Sequence, residues 1–122
     1  MITGRENVLY ASAARTATPA DHEEVRIPQG TYGLTVVIST TAAGTSPSTV
    51  PKIQGKSASG VWYDILTGAA ITGTGTVVMR VGAALAAVAN LAALHPLPAV
   101  FRVKMTHGNA TSHTYSVDYC IN

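Results

Sequence analysis

Charge is scarce in this sequence. Only 11% of its 122 residues are Asp, Glu, Lys or Arg, against about 25% in an ordinary soluble domain. The eight basic residues are Arg5, Arg15, Arg26, Lys52, Lys56, Arg80, Arg102 and Lys104, and they form no run. A nucleic-acid partner is therefore not expected, because binding one usually takes a concentrated basic face. Cysteine is nearly missing too. Cys120 stands alone, which excludes a disulfide within the chain, and no base beside it in sequence would activate the thiol. The longest apolar stretch, Val81–Leu94, is short and is interrupted by Gly82 and Asn90, so no membrane span is expected. The first residues lack a basic start followed by an apolar core, and the chain is read as one made in a cytoplasm.

Catalytic patterns are lacking as well. Neither G-x-S-x-G nor H-E-x-x-H occurs, and Thr72-Gly-Thr-Gly-Thr misses a dinucleotide loop because Val78 holds the last glycine position. Only Asp21, Glu23 and Glu24 cluster among the six acids, beside His22. They read as a solvated loop before a strand. His107 and His113 offer two metal ligands, but no neighbouring carboxylate or cysteine supplies a third. The expectation is a protein that is not an enzyme and holds no cofactor and no metal.

What the chain does have is alternation. Side chains of a strand point to opposite faces in turn, so a half-buried strand shows period two. Tyr32, Leu34, Val36 and Ile38 share one face. So do Val77, Met79 and Val81, and Phe101, Val103 and Met105, and Tyr115, Val117, Tyr119 and Ile121. Val61, Tyr63 and Ile65 alternate with Trp62, Asp64 and Leu66. Val8–Ala13, Glu24–Ile27 and Val50–Lys56 are weaker strands. Clusters of Gly, Pro, Ser and Asn separate these runs, as chain reversals require. The pattern predicts an all-β fold, an antiparallel β-sandwich or flattened barrel of about seven to nine short strands. Lys52–Lys56 pairs with Val61–Leu66 across the turn Ser57–Gly60, and Phe101–Thr106 reads as a hairpin with Thr114–Ile121. Ala83–Leu94 is open to a short helix or a packed loop of small residues.

Residues 1–20 show little strand signal outside Val8–Tyr10. They are read as a partly extended N-terminal arm, and residues 21–122 as the sandwich. An arm of this kind becomes ordered against a partner, and a surface poor in charge is inexpensive to desolvate in an interface. Arg5, Val8, Leu9, Tyr10 and Arg15 are therefore the candidate partner-binding residues on the arm. Trp62 joins them. It and Tyr63 point to opposite faces of a strand, so one anchors the core. The other lies on a surface, where it packs under a loop, fills a partner's pocket or stacks on a sugar.

A further pattern runs through the chain: Gln54-Gly55-Lys56, a short loop, Trp62-Tyr63, then Ala69-Ala70-Ile71-Thr72-Gly73-Thr74-Gly75, then Leu97-Pro98 and Arg102-Val103. Over residues 33–121 this order resembles small structural proteins of tailed bacteriophages, and among them head decoration (cement) proteins most. The Ala-rich stretch Ala83–Leu94 departs from that form. The resemblance implies a capsid-associated β-sandwich on the virion surface, made in the host cytoplasm. It implies the major capsid protein as partner and a homo-oligomer, a trimer by preference. The alternative reading is a tail or baseplate component that binds a receptor or glycan through Trp62 or Tyr63.

Overall fold

In the computed structural model, which describes residues 1–122, the chain has nine strands and no helix. They are β1 (Glu6–Arg15), β2 (Val25–Arg26), β3 (Gly33–Ala43), β4 (Thr49–Lys56), β5 (Trp62–Thr67), β6 (Gly75–Gly82), β7 (Ala92–Leu94), β8 (Val100–His107) and β9 (His113–Ile121). One sheet has the order β1-β9-β3-β6-β7 and the other β2-β8-β4-β5. Every neighbouring pair is antiparallel except β6 and β7. The fold is the expected all-β sandwich.

The alternating rows make the core. Leu34, Val36 and Ile38 of β3, Met79 and Val81 of β6, and Tyr115, Val117, Tyr119 and Ile121 of β9 are buried from one sheet. Phe101, Val103 and Met105 of β8 and Ile53 of β4 meet them from the other. The Phe101 ring meets Tyr119 edge to face, with centroids 5.4 Å apart and planes at 84°, a preferred aromatic geometry. The hairpin of β4 and β5 forms as its sequence indicated. Gly60 at φ 89° and a bond from Gly60 N–H to Ser57 O close its turn. A bulge between Ile53 and Gln54 leaves Ile65 without a cross-strand partner. Leu66 thereby turns inward and Tyr63 lies over Gly55.

Three expectations change. The first concerns β8 and β9, which do not form a hairpin. β8 pairs with β2 and β4, and β9 with β1 and β3. Their apolar rows face each other across the interior instead of lying side by side. Alternation states which side of a strand is apolar and says nothing about its neighbour.

The second concerns the N-terminal segment. Residues 6–15 are edge strand β1, and Ile2 bridges to Val25 of the other sheet. Gly4, at φ 110°, turns the chain between the two. A register shift after Val8 puts the consecutive residues Leu9 and Tyr10 both inside, which breaks the period-two signal. Residues 1–15 thus close one side of the sandwich.

The third concerns Ala83–Leu94, which forms turns, with Asn90 at φ 64°, a bridge from Val88 to Ala92, and the short strand β7. Val88, Leu91 and Leu94 are exposed. An isolated helix this short is marginal in water without an apolar face to bury.

Candidate functional site: two unlike outer faces

Since Phe101, Val103 and Met105 point inward, Arg102 and Lys104 point outward from β8. Register places Gln54 beside Arg102 and Lys52 beside Lys104, with Asp64 of β5 next to Gln54 and Trp62 next to Lys56. A continuous polar chain results. Lys52 Nζ donates to Asp64 Oδ2 at 3.2 Å, Gln54 Nε2 to Asp64 Oδ1 at 2.7 Å, and Arg102 Nε to Gln54 Oε1 at 2.8 Å. The Arg102 guanidinium lies 4.2 Å from the centre of the Trp62 ring, and the Lys56 ammonium 5.4 Å from it. Lys56 also donates to Glu24 Oε1 at 2.7 Å. The Gln54 amide, then Lys52, hold the Asp64 carboxyl below its usual range. The bond from Lys56 does the same for Glu24.

The opposite face, on the five-stranded sheet, has no such chain. Its outward residues are Thr35, Val37 and Ser39 of β3, Thr76, Val78 and Arg80 of β6, and Ser116, Asp118 and Cys120 of β9. One row reads Val78, Val37, Asp118, Val8 across four strands. Val78 and Val8 are 37% and 49% exposed. At the edge of this sheet, around β7, Val88, Leu91 and Leu94 are exposed as well.

Between the sheets, at one end, lies a belt of imidazoles and phenols. His113 is fully buried, with Nδ1 2.8 Å from Thr49 Oγ1 and Nε2 3.1 Å from Thr40 Oγ1. His107 Nε2 is 2.9 Å from the Tyr115 hydroxyl, and His22 Nδ1 is 2.8 Å from that of Tyr10. Burial pushes His113 below the ordinary histidine range. His107 goes the same way, by burial first and then through His113 and Arg15. Burial pushes the Tyr10 and Tyr115 phenols up to about 12. His107 and His113 do approach, with ring centres 6.4 Å apart, yet no group of three His, Cys, Asp or Glu side chains is placed to hold a metal.

The residues singled out from sequence divide. Leu9 and Tyr10 are core residues, and Tyr10 donates to Val103 O of the other sheet at 2.8 Å. Arg15 plugs the bulge of β1. Its guanidinium donates to the carbonyls of Ala11, Ala13 and Tyr115 and lies over the rings of Tyr10 and Tyr115. These three hold the sandwich together, Leu9 and Tyr10 from the core and Arg15 through carbonyls of β1 and β9. Arg5 and Val8 are exposed, and Val8 belongs to the valine row. Trp62 is half-buried under Arg102, while Tyr63 is 37% exposed beside His95. Neither ring is in the core, so the expectation that one anchors it gives way. The bulge in β4–β5 and the edge position of β5 are the cause. Lys52, Gln54, Asp64, Arg102 and Lys104 were not singled out, because they come together from three strands. The alternate polar rows Lys52, Gln54, Lys56 and Arg102, Lys104 were the available signal. The acids at 21–24 do not converge either: Glu24 pairs with Lys56 and His22 with Tyr10.

Protein-family models and curated proteins were both searched with this chain, and neither comparison gave a match.

Proposed function

We propose that this chain is a structural protein of a tailed-phage particle. It binds the outer surface of the capsid shell as a decoration protein and stabilises the head. The observation that carries this reading is the outer face of the five-stranded sheet. Its valine row and Thr/Ser surround present a broad β surface with one cation, Arg80, and two acids, Asp118 and Glu6. Burying such a face desolvates few charges. Many copies on a lattice add avidity to modest single contacts. The resemblance over residues 33–121 points to the same role, with the major capsid protein as partner and a closed trimer on a symmetry axis. Nothing in this role calls for a catalytic group. The tail reading draws less support, because the Trp62 ring it would use for stacking a sugar already carries Arg102.

The test separates heads from tails of the particle on a density gradient and locates the chain by mass spectrometry. We expect it on mature heads, at a copy number comparable to the shell subunit. Val37→Lys and Val78→Glu should keep the fold and lose attachment. Recovery on tails alone would overturn the proposal.

A further inference from the structure

The cationic face raises a question the decoration role leaves open. Five of the eight basic residues, Arg26, Lys52, Lys56, Arg102 and Lys104, lie on strands of the four-stranded sheet. Only two carboxylates, Asp64 and Glu24, are paired among them. Away from this face and its rim stand three basic residues, Arg5, Arg15 and Arg80, and two acids, Glu6 and Asp118. Folding therefore gathers the positive charge on one face, with Asp21 and Glu23 at its rim.

Within that face, Lys52 and Lys104 stand directly opposite each other across β4 and β8. Like charges in that position destabilise a sheet. Asp64 bonds to Lys52, and no ion pair engages Lys104. Arg102 and Lys104 also hold the nearby His22 imidazole below its ordinary range, after burial as the main cause. A free protein gains nothing from this juxtaposition; an acidic partner would.

We infer that the outer face of the four-stranded sheet is a second docking surface, and that it takes an acidic protein surface. The inference rests on the decoration reading, and the partner is an acidic patch on a neighbouring subunit of the particle. Two features favour protein over nucleic acid. The Trp62 ring is covered by Arg102, so it offers no free platform for a base. Asp64 and Glu24 interrupt the cations, which suits discrete carboxylates better than an unbroken chain of phosphates. The two sheets of a sandwich turn their outer faces in opposite directions, so one copy can touch two neighbours at once. That is the geometry of a bridge, with one contact of low charge and the other electrostatic.

The experiment re-attaches the purified chain to heads stripped of it. For the wild type, affinity should fall by about tenfold or more between ~0.1 and ~0.5 M salt, as exposed charge contacts are screened. The pair Lys52→Glu and Lys104→Glu should cost at least about tenfold at low salt. Lys104→Gln should weaken attachment yet raise the melting temperature of the free protein by about 1–2 °C, by relieving the like-charge pair. Wild-type attachment that ignores salt and survives the double reversal would overturn the inference while leaving the decoration reading intact. A lower melting temperature for Lys104→Gln would also overturn it, since Lys104 would then be a structural residue. Failure of the wild type to attach at all would sink the decoration reading. Duplex DNA is the control probe: binding by the free protein at ~0.1 M salt, lost in the double reversal, would replace the acidic protein with nucleic acid.

Discussion

The two outer faces of this sandwich are built on the same kind of strand and differ in almost everything else. On the four-stranded sheet, Lys52, Asp64, Gln54 and Arg102 hold one another in fixed geometry, and Trp62 lies under the guanidinium. On the five-stranded sheet, Thr35, Val37, Ser39, Val78 and Ser116 are neighbours without any side-chain bond between them. The first face is ordered by its own hydrogen bonds. The second is ordered only by the backbone beneath it. Outward substitutions on the first should therefore disturb the free protein, and on the second they should register mainly when a partner is present.

The largest effect would come from removing what both faces share. Phe101→Ala deletes a fully buried ring that packs on Tyr119 across the interior. A loss of about 3–5 kcal/mol is expected in denaturant unfolding. Fluorescence of Trp62 and far-UV dichroism should change in a single transition. Separate transitions would mean that the two sheets, and so the two faces, are held independently.

Acid should act next, again on both faces together. His113, His107 and His22 all have their folded-state pKa lowered, so the unfolded chain binds more protons. Stability is then complete above the unfolded value of about 6.5 and is lost as pH falls below it. No carboxylate bonds to His113; Thr40, Thr49, His107 and Tyr115 surround it, and Arg15 is its register partner on β1. Melting temperatures between about pH 7.5 and pH 5 should fall steadily in the wild type and less in His113→Gln. A flat profile would contradict the neutral, buried state of this residue.

The smallest effect distinguishes the faces directly. Gln54→Ala removes a bond to Asp64 and another to Arg102, and about 1–2 kcal/mol should be lost. Ser39→Ala, outward on the other sheet, should change stability by less than about 0.5 kcal/mol. Equal costs at the two positions would erase the contrast between an internally bonded face and a passive one.

Much of the architecture was legible in the chain. The rows of β3, β8 and β9 state their inward residues by parity alone, and the core contains them except Tyr32, which precedes β3 and is 80% exposed. The candidate site was less legible. Lys52 and Asp64 share the β4–β5 hairpin, but Arg102 lies far along the chain, and only strand order brings it beside Gln54. Arg15 reads as a partner contact from sequence because residues 1–20 show little strand signal, yet it bonds to the nearby carbonyls of Ala11 and Ala13. Its acceptors include Tyr115 O, which β9 brings to it.

By itself, the sequence determined the fold class, the inward face of each strong strand and the shortage of charge. These follow from local side-chain chemistry and the period of the backbone. Tertiary structure alone decided that β8 and β9 belong to different sheets and that Ile2 and β1 close the sandwich. It also decided that five scattered cations share one face. The reason is physical: register and sheet order depend on which strands bury their apolar rows together, and burial is a property of the assembled pair.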